Sequence, residues 1–353
     1  MIDDWVMRTY KEEDEPKIVE LLKIVFNGWH DLKYWQWKYK QNADGFFPNL
    51  IVLADNKGEF VGHYTIIPAR IKIGDEIILG SQSVDTATHP DHRRKGIFEK
   101  TAKECYSNAV KNGITVTYGF AAVGPSYHGF IKKLDWYHIC FLFEMEMPLD
   151  VKKALSRHFK DKFIGKFVGL LAPLIEFRNK RKIKVKIPSD ISIKKVSIFD
   201  DRITELWNTV SPEYDIIVVR DEKFFNWRLK NPDSEYVIFT AEKKGNLLGY
   251  SIFKIGTQDI RIVDMMALPK YDEVISYLVS YGITFFRNKD IDMLRCMLPQ
   301  DNKYFKILRR KGFLKTETEM GFIARLNVKD KNLEDKIKSI KNWFVMDLDS
   351  DHV

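Results

Sequence analysis

Cysteine is nearly absent from this chain of 353 residues: the three present, Cys105, Cys140 and Cys296, are far apart and form no Cys-x-x-Cys pair. That excludes a disulfide framework and a structural zinc ribbon, and it fits a reducing compartment. No uncharged run approaches the ~18 residues that would mark a membrane-spanning helix. The N-terminus, MIDDWVMRTYKEEDE, is acidic where a secretory leader is basic and then apolar, so a cytoplasmic protein is expected. With 19 glycines and 12 prolines the chain is neither collagenous nor of low complexity.

What is present suits a globular fold. The chain is 45% apolar, 13% aromatic and 30% charged, and its length is enough for two or three domains with real cores. The net charge of +8 is unevenly spread: residues 151–186 hold twelve Lys and Arg against Asp161 and Glu176, a net of +10, which leaves −2 for everything else. The basic character belongs to one segment between two bodies.

Four features recur in the same order in the two halves. Ile18, Leu21, Leu22, Val25 and Phe26 have helical spacing, as do Ile203, Leu206, Trp207 and Val210. Tyr34-Trp35-Gln36-Trp37-Lys38-Tyr39-Lys40 resembles Phe224-Phe225-Asn226-Trp227-Arg228-Leu229-Lys230. Two hairpins turn at Asp55–Gly58 and Glu242–Gly245 and continue as Val61-Gly62-His63-Tyr64 and Leu248-Gly249-Tyr250-Ser251. Finally, Val84-Asp85-Thr86-Ala87-Thr88-His89-Pro90 matches Val263-Asp264-Met265-Met266-Ala267-Leu268-Pro269. The repeat predicts two similar α/β (α+β) domains, each a mixed, largely antiparallel central sheet flanked by helices. The expected boundaries are 1–150, a basic linker or interdomain helix over 151–189, 190–330, and a C-terminal helix and tail over 331–353. Strand 139–148 is expected to close the first domain.

The stretch most specific for chemistry runs from Ser83 to Phe98, passing from a strand through the basic turn His92-Arg93-Arg94-Lys95-Gly96 into an amphipathic helix. Such a turn leaves main-chain N–H groups unpaired at a helix N-terminus, where the dipole favours an anion and Gly96 can adopt the left-handed conformation. The structural alternative is a basic loop that merely caps a helix.

HPDHRRKGIF resembles the coenzyme A signature of the GNAT N-acetyltransferase superfamily, Arg/Gln-x-x-Gly-x-Gly/Ala, and Ser126–Trp136 is similar to the family's downstream helix. The resemblance covers about residues 5–148 and, in eroded form, 190–328, like a tandem GNAT protein. It implies acetyl-coenzyme A as co-substrate and transfer of the acyl group to an amine of a small molecule or peptide. Carried onto this chain, it has Arg93, Arg94, Lys95, Gly96, Ile97 and Phe98 wrap the pyrophosphate. Thr86, Ala87 and Thr88 would pair with the pantetheine amides, and Ser126 would join the cofactor site. Phe98 departs from the pattern, which has Gly or Ala there, and Arg94 replaces a frequent Gly. The second copy continues Lys270-Tyr271-Asp272-Glu273, with two carboxylates where phosphate would sit, so one coenzyme A site is expected, in the first half.

Acyl transfer needs a base for the amine and an acid for the thiolate. Asp85, on the strand beside the pantetheine positions, is the expected base, with an ion pair to a neighbouring Lys or Arg as its structural alternative. Family members place an acidic Tyr where this chain has Ile131, so Tyr127, one turn earlier, is the expected acid. His89, His92 and His128 flank the site without metal-ligand spacing, and no metal is expected. Sequence-specific nucleic-acid binding is not expected. The basic segment could contact a membrane or polyanion, although Gly165, Gly169 and Pro173 interrupt its helical pattern. Two other readings remain open. One is a tandem-GNAT aminoacyl transferase using aminoacyl-tRNA, with the basic segment gripping RNA; the other is a non-catalytic coenzyme A-binding module.

Overall fold

A computed structural model describes residues 4–151, 153, 181–287 and 289–351. Most of the basic segment 151–186, and with it the expected interdomain helix, lies outside the described residues. In chain order the first half gives β1 (Val6–Thr9), α1 (Glu15–Phe26), α2 (Leu32–Tyr39), β2 (Ile51–Asn56), β3 (Glu59–Ile73), β4 (Glu76–Thr88), α3 (Ile97–Lys111), β5 (Val116–Ala122), α4 (Pro125–Lys133) and β6 (Tyr137–Pro148). The second gives β7 (Ser192–Val196), α5 (Arg202–Val210), β8 (Ile216–Val218), α6 (Glu222–Arg228), β9 (Glu235–Lys243), β10 (Asn246–Ile255), β11 (Asp259–Ala267), α7 (Glu273–Phe286), β12 (Met293–Leu298), α8 (Phe305–Lys311), β13 (Leu314–Leu326), α9 (Lys331–Ile337) and β14 (Trp343–Phe344).

These elements form two units, neither a continuous stretch of chain. The first comprises residues 1–141, 214–233 and 319–344; the second comprises 142–213, 234–318 and 345–353. They differ from the consecutive boundaries expected at 150, 189 and 330. In the first unit the strand order is β1-β2-β3-β4-β5 followed by the C-terminal part of β13, with β8 on the lower end of β3 and β14 on β8. In the second it is β7-β9-β10-β11-β12 followed by the C-terminal part of β6. The topology is the same, but the closing strands are exchanged. Met320–Leu326 pairs with β5 in the first unit, and Phe143–Pro148 pairs with β12 in the second. The expectation that 139–148 closes the first half is corrected accordingly.

Period-two alternation puts the two faces of the first unit's sheet against different helices. On one face Tyr64, Ile66 and Trp136 pack with Ala102, Cys105, Tyr106 and Ala109 of α3. On the other, Leu53, Ile67 and Val84 pack with Ile18, Leu22, Trp35 and Tyr39 of α1 and α2. Close approach explains one repeated glycine: a Cβ at Gly249 would lie 2.6 Å from the Met266 carbonyl oxygen, and one at its counterpart Gly62 would overlap Ile97.

The aromatic helix of the second half, α6, belongs to the first unit. Its Trp227 stacks on Trp37 of α2 with ring centroids 5.7 Å apart. Each indole N–H donates to the other residue's carbonyl, at 2.9 and 3.0 Å. The aromatic cluster of α2 is thus core, with Trp35 and Trp37 buried. At the C-terminus the acidic tail is also buried: Val345–Ser350 packs in the second unit, where Asn302 donates to the Val345 carbonyl at 3.0 Å.

Candidate active site

The turn into α3 leaves a row of main-chain donors. Arg94 and Gly96 both have positive φ, +67° and +74°, and Gly96 is the residue before the helix, with no side chain to cap it. The first main-chain bond of the helix is from Lys100 to the Gly96 carbonyl, 3.0 Å. The N–H groups of residues 94–99 find no acceptor among the described residues. Arg93, Arg94, Lys95 and Gly96 are exposed around them, and the Lys95 ammonium reaches the exposed Asp4 at 2.9 Å. A solvent-facing row of donors with cations beside it can accept an anion.

Ile97 and Phe98 enter this cradle by their N–H groups alone. The Ile97 side chain is buried with Trp5, Ala54 and Val61. The Phe98 ring turns inward, 5.3 Å from Phe130 and 6.1 Å from Tyr64, and lies against Gly129, so it does not stand over the cradle.

Next to the cradle the sheet opens. β4 and β5 run parallel and pair only at Ser81–Thr117, Gln82–Tyr118 and Ser83–Gly119. Beyond Ser83, β4 keeps its partner β3 on one side, and its other edge, Val84 to Thr88, has lost its ladder. Thr86, Ala87 and Thr88 lie on this edge, whose unpaired amide and carbonyl groups suit an extended chain of amides.

Asp85 is less free than a base would need to be. It has φ +46°, and the register between β3 and β4 shifts here, with His63 opposite Ala87 and Thr65 opposite Val84. Two residues therefore oppose Tyr64, which is a β-bulge. The carboxylate, 8% exposed, accepts from Lys38 Nζ at 2.7 Å, the Tyr39 hydroxyl at 2.5 Å and Trp29 Nε1 at 3.3 Å. Lys38 is itself buried, its side chain 2% exposed. The bulge carbonyl is held too, by His63 Nδ1 at 2.8 Å. A carboxylate held by an ammonium and two further donors is the ion-paired arrangement named as the structural alternative for Asp85.

His63, Lys38 and Tyr39 were missed in the sequence, where a Lys within an aromatic helix and a His in a hairpin read as ordinary. His63 is fully buried, Nδ1 carries the proton donated to the Asp85 carbonyl, and Nε2 has no partner among the described residues. Burial pushes its imidazole below the ordinary range, against the lesser opposing effect of the Asp85 carbonyl. The unfolded chain then binds a proton that the folded chain refuses, so stability is unaffected above the unfolded value of ~6.5 and falls as pH drops below it. The unfolding free energy, read from denaturant melts, should decline from pH 7 to 5.5 with a slope that flattens in His63→Gln, by up to ~1.4 kcal/mol per pH unit. Equal slopes in the two proteins would refute this.

On α4, Ser126 is exposed and makes no side-chain hydrogen bond. The Tyr127 hydroxyl shares a hydrogen bond of 2.9 Å with Nδ1 of His138, a partner the sequence reading did not identify. Burial raises the Tyr127 hydroxyl and lowers the His138 imidazole, so the tyrosine keeps its proton and the histidine is neutral at pH 7. Ile131, at the position expected for the family's tyrosine, packs on the core beneath α3. His89 and His92 face each other in the turn, ring centroids 5.8 Å apart. Among the described residues no cluster of three His, Cys, Asp or Glu could hold a metal, and no helix is long and apolar enough to cross a membrane.

In the second unit the same opening is filled. β11 and β12 pair in parallel at three positions, Asp259–Met293 to Arg261–Arg295, then part. The buried Tyr304 occupies the free edge, its hydroxyl accepting from the Ala267 N–H at 3.0 Å. Ala267 is the counterpart of Thr88. At the start of α7, Asp272 pairs with Lys303 at 3.2 Å where the first unit has its cationic turn.

Comparison with known proteins bears on the fold. Residues 6–136 match the model of the acetyltransferase (GNAT) domain. Across the whole chain the fold is similar to that of solved acyltransferase structures, a tandem GNAT protein among them. It is similar to a protein of unknown function, a probable N-acyltransferase, from Enterococcus faecalis V583: TM-score 0.65 and 11% identity over 91% of this chain and 72% of that one. It is likewise similar to Saccharomyces cerevisiae N-myristoyltransferase with bound myristoyl-CoA, at 0.64 and 13% over 94% and 82%. A tandem GNAT protein of the clavulanic acid biosynthesis pathway gives 0.58 and 13% over 93% and 100%. No curated protein sequence matches the chain.

Proposed function

We propose that the chain is an acyl-coenzyme A-dependent N-acyltransferase, with acetyl-coenzyme A as the donor and a primary amine as the acceptor, acting in the first unit in a cytoplasmic setting. The carrying observation is the run of free main-chain donors at 94–99, flanked by Arg93, Arg94 and Lys95, beside the unpaired edge of β4. The cradle takes the pyrophosphate and the edge at Thr86–Thr88 takes the pantetheine amides, which brings the thioester down to the bulge at Asp85. The amine nitrogen attacks the thioester carbonyl, the C–N bond forms as the C–S bond breaks, and the amine's proton ends on the coenzyme A sulfur. Tyr127, protonated and backed by His138, is the proposed donor of that last proton. The Asp85 carboxylate borders the place of the thioester, held by Lys38, Tyr39 and Trp29. The Tyr304 plug and the Asp272 carboxylate support a single cofactor site per chain.

Isothermal titration with acetyl-coenzyme A should give one site per chain with micromolar affinity, because a few charge-assisted contacts of ~1.5–3 kcal/mol each outweigh the cost of binding. Free thiol should then be released in the presence of one member of a panel of polyamines, amino sugars and peptides. Two sites, or none, would refute the assignment. One site without turnover on any amine would make the protein a coenzyme A-binding module.

A further inference from the structure

The second unit holds a lysine where the repeat has a leucine. In the first unit the residue that closes α4, Leu134, is 2% exposed in the core with Phe130 and Trp136, and Asp135 follows it in left-handed backbone, φ +56°. In the second unit α8 ends on Lys311, Gly312 follows at φ +104°, and the buried Phe313 stands where the first unit has Trp136. Lys311 is therefore the counterpart of Leu134, and it is almost as deep, 6% exposed. Among the described residues its ammonium has no hydrogen bond and no carboxylate partner. Burial pushes the amine below its ordinary range, and the like charge of Arg310 adds to the effect. A buried charge is costly unless something pairs with it, so this one calls for an anion.

Lys311 lines a cavity of about 380 Å³ that also takes in Ile307 and Arg310 of α8, Asp272 and Glu273 at the start of α7, and Lys182. All of these belong to the second unit. Three cations thus face two carboxylates, and one of the two, Asp272, is already paired with Lys303 at 3.2 Å. Arg310 and Lys182 are exposed and, like Lys311, have no acidic partner among the described residues. A space of this size takes a small molecule and not merely an ion. We propose that the cavity binds a small organic anion by its carboxylate, with Lys311 as the buried counter-charge and Arg310 as the second donor. A guanidinium fork matches the two oxygens of a carboxylate. A single negative charge also suits a wall that keeps Glu273, which would repel a doubly charged phosphoryl group. The ligand is not a second coenzyme A, because Tyr304 fills the sheet edge that the pantetheine would need. The site does not depend on what the first unit binds.

The test compares the full-length protein with Lys311→Leu and Arg310→Ala by melting temperature. Each is melted in chloride and then in acetate, succinate, glutamate or inorganic phosphate at matched ionic strength, with ~50 mM of the added anion. In chloride Lys311→Leu should melt ~2–4 °C higher than wild type, since it removes an unpaired buried charge and restores the residue of the repeat. At least one of the three carboxylates should raise the wild-type melting temperature by ~2 °C or more, by binding the folded chain alone. That rise should vanish in Lys311→Leu and fall at least by half in Arg310→Ala, whose exposed side chain matters little to folding. Should Lys311→Leu fail to fold, or melt lower than wild type, the lysine would be a structural element and the proposal would be overturned. The same follows if no carboxylate stabilises wild type, or if the rise is equal in wild type and Arg310→Ala. A larger rise with phosphate than with any carboxylate would overturn the ligand class. Titration with acetyl-coenzyme A should give the same stoichiometry in wild type and Lys311→Leu; loss of a site in the variant would assign the cavity to the cofactor instead.

Discussion

A chain with glutamate at positions 93, 94 and 95 should bind acetyl-coenzyme A at least ~100-fold more weakly than wild type while melting at nearly the same temperature. The three native side chains are exposed, and the one ion pair among them, Lys95 with Asp4, is a surface pair worth ~0–1 kcal/mol. Folding therefore loses little. Binding loses much more, because each reversal replaces attraction for a pyrophosphate by repulsion within a Debye length of ~8 Å at physiological salt. The alanine set Arg93→Ala/Arg94→Ala/Lys95→Ala removes the attraction but keeps the main-chain donors of 94–99, so it should cost only about tenfold, or ~1.4 kcal/mol. Titration calorimetry at 0.15 M salt reads both, and an unaltered Kd in the glutamate chain would remove this turn from the cofactor site.

The largest stability effect is expected far from the chemistry, at Arg261 in the second unit. Its guanidinium reaches the Glu144 carboxylate on β6 at 3.0 Å and Asp347 of the buried tail at 2.9 Å. Burial raises the Glu144 carboxyl, with Arg261 opposing it and Asp347 adding to the rise. Arg261→Met leaves two carboxylates together with no cation between them, which should cost ~3–5 kcal/mol and lower the melting temperature by about 10 °C. The sign of its pH dependence follows. Protonating Glu144 relieves the repulsion in the variant, so the deficit against wild type should shrink between pH 8 and pH 5. Thermal melts across that range check it, and a deficit that is constant or grows toward acid would contradict it.

Local structure was legible where the chain's own pattern decides it. The period-two and period-3.6 runs gave the strands and helices of both halves, and the repeat gave their common order. The turn at 93–98 was readable as a turn into a helix, because a glycine able to take positive φ stands directly before an amphipathic run. Partner choice was not readable. Alternation says that 143–148 is a strand with one buried face, yet nothing in it distinguishes β5 from β12 as its neighbour. Trp227 gave no sign that it would meet Trp37, its own counterpart. The partners of Asp85 were unreadable for a similar reason: its donors are 46–56 residues earlier in the chain, and a lysine buried at 2% exposure looks in sequence like any solvated one. The acidic C-terminal tail read equally as a docked strand or a frayed end; Asp347 is buried, paired with Arg261.

The exchange of closing strands bears on how the protein must be made. As the chain leaves the ribosome, β5 emerges long before Met320–Leu326, the segment that covers its free edge. Roughly two hundred residues are therefore synthesised while a partly built sheet keeps one unpatched border, the kind of border on which nascent chains stick to one another. Chaperone dependence during translation, and slow recovery from denaturant, follow from that order of arrival.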